Sequence, residues 1–109
     1  MANTFKLKTK ANVGVTTVGI YTAPAATTTV VIGITMANVA GSGVNVGVGI
    51  TRAGTTEDVK LLKNAPIPQG SSLEFMAGNK IVLEETDTVT VDSDTNNSVD
   101  AALTIMEIT

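Results

Sequence analysis

Apolar and polar residues alternate along most of this chain. In Val44-Asn45-Val46-Gly47-Val48-Gly49-Ile50 every second residue is apolar, which marks a β-strand with one buried face. The same period runs through residues 4–10, with Phe5, Leu7 and Thr9 on one side and Lys6, Lys8 and Lys10 on the other. Three lysines on one side suit an edge strand guarded against stray pairing. Residues 28–38 are apolar on both sides, with Val30, Ile32, Ile34 and Met36 facing one way and Val31, Gly33, Thr35 and Ala37 the other, so a central strand is expected there. Further strands are expected at 18–22, 57–63, 72–77, 80–84, 88–93 and 98–107. The stretch 57–63 fits a helical period as well, and the succession of hairpins favours a strand.

Punctuation between these segments is dense. Residues 11–17, with Asn12 and Gly14, predict a loop or bulge, and 25–27 and 53–56 predict turns. Residues 38–43 predict a hairpin connection, and Gly47 and Gly49 leave one side of their strand bare for a close neighbour or a bulge. Pro66-Ile67-Pro68-Gln69-Gly70 predicts a rigid corner at which the chain changes sheet. Gly78-Asn79, Glu85-Thr86-Asp87 and 94–97 are the remaining turns. Eight or nine strands at roughly ten-residue spacing predict an all-β chain. The expected fold is one antiparallel β-sandwich domain over residues 1–109, jelly-roll or immunoglobulin-like, without significant helix.

Composition removes most catalytic chemistry. The 109 residues include no His, Cys or Trp, and Arg52 is the only arginine. The usual general base, thiol nucleophile and soft metal ligands are therefore missing. With Phe5, Tyr21 and Phe75 as the only aromatics, the core must come from Val, Ile, Leu, Met and Ala. No secretion signal is visible at the start, and the apolar run 30–36 is broken by Gly33 and Thr35, far short of a membrane span. Without a signal, the Asn96-Asn97-Ser98 sequon reads as incidental. The net charge of −3 hides a split. Residues 1–63 carry six basic and two acidic side chains, and 64–109 carry one basic and eight acidic. Cancellation between the two parts within one fold is the expected arrangement; docking of a basic edge on a neighbour's acidic edge is the sharper alternative.

Candidate motifs dissolve on inspection. Asp92-Ser93-Asp94-Thr95-Asn96 spaces oxygen ligands as a calcium loop does, but Asn97 and Leu103 stand where that loop needs Gly and Glu. An acidic turn is the better reading, and no metal or cofactor is expected. Neither Gly41-Ser42-Gly43 nor Gly47-Val48-Gly49 opens a helix or meets a Gly-Lys-Ser/Thr. Glu84 and Glu85, adjacent on a strand, point to opposite sides and cannot flank one bond. The lysines at 6, 8 and 10 lack the wider basic field and aromatic platforms of a nucleic-acid binder. Tyr21 is the sole basis for a carbohydrate- or surface-binding module with a concave polar site around it. No catalytic residues are expected, and the chain reads as a non-enzyme.

The second part of the chain carries a pattern. Pro66-Ile67-Pro68-Gln69-Gly70-Ser71-Ser72-Leu73-Glu74-Phe75 is followed by Gly78-Asn79-Lys80-Ile81-Val82-Leu83-Glu84, Asp87-Thr88-Val89-Thr90-Val91 and Val99-Asp100-Ala101-Ala102-Leu103-Thr104-Ile105-Met106-Glu107. In residues 66–109 this resembles small virion structural proteins of tailed bacteriophages, especially marine and cyanobacterial ones. The resemblance implies a β-sandwich particle component without catalytic residues, made in the host cytoplasm and carried on the virion. The first expectation is a head decoration or cement protein that binds the major capsid protein lattice as a homo-oligomer. A neck, tail or fibre adaptor contacting other virion proteins is the runner-up. No nucleic acid or membrane partner is expected. The expected contacts lie on the first strand, at Phe5, Lys6, Leu7, Lys8 and Lys10, because a terminal strand is the easiest to offer to a neighbour. Removal of residues 1–10 is expected to abolish docking.

Overall fold

A computed structural model describes residues 3–75 and 80–109. The ends of two expected features, the strand through Met76-Ala77 and the turn at Gly78-Asn79, lie outside the described residues. The described residues contain no helix and nine strands: β1 (Asn3–Val13), β2 (Val18–Thr22), β3 (Thr28–Asn38), β4 (Val44–Arg52), β5 (Glu57–Ile67), β6 (Ser72–Phe75), β7 (Ile81–Leu83), β8 (Asp87–Ser93) and β9 (Val99–Ile108). They form two antiparallel sheets, one ordered β1-β9-β3 with β6 and β7 both on the far side of β3, the other ordered β2-β8-β4-β5. Henceforth these are sheets A and B.

This order decides between the two expected sandwiches. β6 pairs with residues 34–37 of β3 and β7 with residues 29–31, so the two lie end to end as one interrupted strand. With that position counted once, each sheet has four strand positions, ordered 1-9-3-6/7 and 2-8-4-5, the double Greek key of a jelly roll. An immunoglobulin-like sandwich would pair its first two strands in one sheet, whereas β1 and β2 lie in different ones.

The same topology corrects one expected turn. Residues 38–43 form a crossing from sheet A to sheet B rather than a hairpin. Asn38 holds it, its Nδ2 donating to the carbonyls of Ser42 and Ile67 at 2.8 and 2.9 Å. The expected corner does change sheets. It is tighter than anticipated, because β5 continues through Pro66 to Ile67 and the turn lies at Pro68-Gln69-Gly70-Ser71, with Gly70 at φ 73° and Ser71 N–H donating to Pro68 at 3.1 Å.

Bulges account for the remaining shifts. β1 runs on to Val13, past a register break at which Asn12 takes φ 59° and donates its N–H to Asp100 Oδ1. β3 breaks register between Val31 and Gly33, and one extra residue reverses which side chains face inward. Val31, Ile34 and Met36 are buried, while Val30 and Ile32 are only half-buried. β3 is central, as expected, and Val44, Val46, Val48 and Ile50 of β4 all enter the core with Leu103 and Ile105 of β9. Gly47 and Gly49 answer to both expected roles: β4 breaks register against β5 on either side of Val48, and a Cβ on Gly49 would lie 2.9 Å from the Val59 carbonyl oxygen.

Candidate assembly surface

The sharpest surface feature follows from strand register. Directly opposed residues in an antiparallel pair point to the same face of the sheet. Phe5 opposes Met106, Met106 opposes Val30, and Val30 opposes Val82. An apolar row therefore crosses the outer face of sheet A from the β1 edge to the β7 edge, over ~15 Å at the usual strand spacing. Its ends are open, with Phe5 68% and Val82 59% exposed, and Leu7 adds a second exposed apolar side chain on β1. Around the row lie Ile108, Thr104, Gly33 and Thr28 by the same pairing. Asp100 and Glu74 share this face, toward its other end. The outer face of sheet B differs. Thr22 and Thr88 share a hydroxyl hydrogen bond, and the Thr17 hydroxyl donates to Asp92. Isolated exposed apolar residues are ordinary, and a contiguous apolar stripe on one sheet face is a candidate contact surface.

The lysine side of β1 faces the other way. Lys6 opposes Ile105, Lys8 opposes Leu103 and Lys10 opposes Ala101, and all three partners are buried. The Phe5–Leu7 side thus looks outward, and the lysines are turned toward the sandwich interior at its margin. There, apolar stems can lie on the core while the ammonium groups reach outward. Inward-pointing charge on an outermost strand also discourages indiscriminate sheet extension. Of the expected contact residues, Phe5 and Leu7 thus sit on the apolar outer face, and Lys6, Lys8 and Lys10 line the inner margin of the same edge.

Lys6 is anchored. Its Nζ lies 2.8 Å from Glu107 Oε1, and the Tyr21 hydroxyl donates to Glu107 Oε2 at 2.6 Å. With its proton so engaged, Tyr21 accepts from the Thr29 hydroxyl at 2.8 Å. Burial and the adjacent carboxylate push the Tyr21 phenol up to about 12. Glu107 is held below the usual carboxylate range, first by Lys6 and then by Tyr21. This buried cluster ties β1, β3 and β9 of sheet A to β2 of sheet B. It also corrects the expectation of a sugar-stacking site, because Tyr21 is only 7% exposed and its hydroxyl is fully engaged.

The charge split is partly neutralised within the fold. The ion pairs Lys6–Glu107, Arg52–Glu84 and Arg52–Asp87 each join a cation from residues 1–63 to a carboxylate from 64–109. The carboxylate-rich turn after β8 uses its oxygens locally: Asp94 Oδ1 accepts from the Asn45 N–H and the Thr95 hydroxyl, and the Ser93 and Ser98 hydroxyls meet at 2.6 Å. Among the described residues no group of three or more carboxylates is placed to hold a metal ion. Beside β7, Ile50, Arg52, Val59, Val82 and Glu84 line an open cleft between the edges of the two sheets.

Sequence reasoning found the β1 end of the apolar row and missed Met106, Val30 and Val82. The alternation alone could have placed Val82 opposite in facing to Ile81 and Leu83. It could not have placed Val30, because the bulge that turns it outward leaves no sequence mark.

No protein-family model matches the chain, and no curated protein matches it by sequence. Solved structures match its fold. A chain of the IBDV T13 viral particle superposes with a TM-score of 0.59 at 12% identity over 96% of this chain, which spans 30% of that much longer one. A chain of the disulfide-linked pili that are Bacillus endospore appendages gives 0.57 at 16% identity, covering 99% of this chain and 87% of that one. A chain of the cyanophage Pam1 capsid asymmetric unit gives 0.56 at 15% identity, covering 95% and 85%. At these identities the likeness is one of fold, a jelly roll used in viral particles and in a pilus.

Proposed function

We propose that this chain is a single-domain, non-enzymatic structural subunit of a tailed-bacteriophage particle, specifically a head decoration protein that docks on the major capsid protein lattice. The observation that carries this reading is the uncharged apolar row on the outer face of sheet A, exposed at both ends. Support also comes from the fold shared with two virus-particle chains. A side-chain inventory without His or Cys suits a part whose work is surface burial. On a repeating shell, each contact can be modest because many copies act together.

In this role Phe5 and Leu7 meet the shell, with Lys6, Lys8 and Lys10 at the margin of the same strand. Removing residues 1–10 would take away Lys6 and uncover the edge of β9, so side-chain substitution gives the cleaner test. Phe5→Ser with Leu7→Ser should leave unfolding stability within about 0.5 kcal/mol, as exposed substitutions usually do. The same variant should lose at least about tenfold in binding, roughly 1.4 kcal/mol, to shells stripped of the protein and measured by co-sedimentation. Equal binding by the variant and the parent would contradict the assigned face.

A further inference from the structure

We infer that copies of this chain exchange their first strand, the arm of residues 3–10 in one copy taking the place of another copy's arm along β9 of sheet A. The partner is a second copy of this chain, and the inference does not rest on the particle role above.

The arm is the least committed part of the fold. From Asn3 to Asn12 every residue is exposed except half-buried Lys8, and Val13 is the first to enter the core. Among the described residues β1 pairs only with β9, from Asn3 opposite Ile108 to Lys10 opposite Ala101 and then Val13 opposite Val99. Residues 3–10 can therefore leave without opening the core, while Val13 keeps the rest of the chain anchored. Segments with few buried apolar contacts lie at the low-stability end of a structure and open first.

A hinge is already in place. The β1–β9 register breaks between Lys10 and Val13, and Asn12 within that break takes φ 59°. Left-handed backbone at a residue other than glycine is strained, although Asn bears it better than most. The Asn12 N–H donates to Asp100 Oδ1 at 3.0 Å and so holds the bend. An arm that crosses to a second copy frees residues 11–12 to extend, and exchange then releases strain that the closed form keeps. Short hinges under strain favour swapping for this reason.

The vacated place selects its occupant. Without the arm, Glu107, only 7% exposed, loses the Lys6 ammonium that lies 2.8 Å from its Oε1. The β9 edge loses its ladder partner at the same time. A buried carboxylate and an open strand edge are both costly to leave unpaired. Residues 3–10 of another copy answer both needs, because they bring the same ladder in the same register and the same Lys6. Every contact made within one copy is remade between two, so concentration decides between the closed and exchanged forms. Adding a strand to the outside of β1 has no such match, since the three inward lysines guard that edge.

Introduced cysteines test this directly, because the chain has none of its own. Thr9 and Ala102 are directly opposed on β1 and β9, and opposed Cα atoms at ~4.5–5.5 Å lie within disulfide reach. Thr9→Cys and Ala102→Cys, carried by separate copies, are refolded together from urea at high concentration and oxidised. Peptide mapping by mass spectrometry should find 9–102 links between copies in excess over 9–9 and 102–102 links. Both substitutions in one copy, oxidised while dilute, lock the arm in its own fold. In sedimentation velocity at high concentration the parent should form dimers or larger species, and the locked chain should stay monomeric until it is reduced. If that pair does not oxidise, Leu7→Cys with Thr104→Cys, also directly opposed, takes its place. A parent that is monomeric at every concentration reached would overturn the inference. So would a locked chain that assembles as the parent does, or a mixture without the excess of 9–102 links. None of these readouts involves a particle, so failure here leaves the particle reading standing.

Discussion

At the scale of single residues, the Tyr21–Glu107–Lys6–Thr29 cluster does the most specific work. Tyr21 bridges the two sheets, and its hydroxyl satisfies a buried carboxylate oxygen and a buried threonine. Tyr21→Phe keeps the ring and strands those groups, so it should cost about 1–3 kcal/mol, read from urea unfolding. The cluster also sets two pH limits. The Glu107 carboxyl is depressed in the fold, so its stabilisation is complete above the unfolded value near 4.3 and is lost as pH falls through the lower folded value. The Tyr21 phenol is raised to about 12, so its share is complete below about 10 and is lost as pH rises from there through 12. Chemical denaturation across pH should show both losses in the parent, and the alkaline one should disappear in Tyr21→Phe. None of this was legible in the sequence. Tyr21 stood out only as a rare aromatic, because its partners lie 8 and 86 positions away, and nothing in a local pattern links them.

At the scale of elements, period-two alternation located most strands, since a half-buried strand must alternate whatever its neighbours are, while β5 was read from the succession of hairpins. It gave β4 its correct inner face and β1 its correct division into two sides. It failed where the register breaks. The bulge after Val31 turns Val30 outward, and the one at Asn12 lets β1 run past the expected loop. Sheet membership was equally hidden, because a short connection of Gly and Ser serves a hairpin or a crossing between sheets. The glycines of β4 were read correctly as sites of close approach. Gly49 is the stricter of the two, since the atom crowding it is the main-chain oxygen of Val59 rather than a movable side chain. Gly49→Ala should therefore loosen the β4–β5 pairing and destabilise the fold by about 1–3 kcal/mol, measured by thermal unfolding.

At the scale of the whole molecule, the two sheets present opposite characters to the outside. Sheet B shows threonines and a carboxylate, and sheet A shows an apolar row that no part of the described chain covers. The resemblance in residues 66–109 pointed to a particle protein. The jelly-roll order of the strands is shared, as a fold, with virus-particle chains and with a pilus chain. A covering surface is what the row lacks within the described chain, and in the proposed role a capsid lattice would supply one in many copies. The most direct test is gold labelling of this protein on intact particles that carry it. Label spread over the whole head is the expected result. Label confined to one vertex or to the tail, or absent from the particle, would contradict the account.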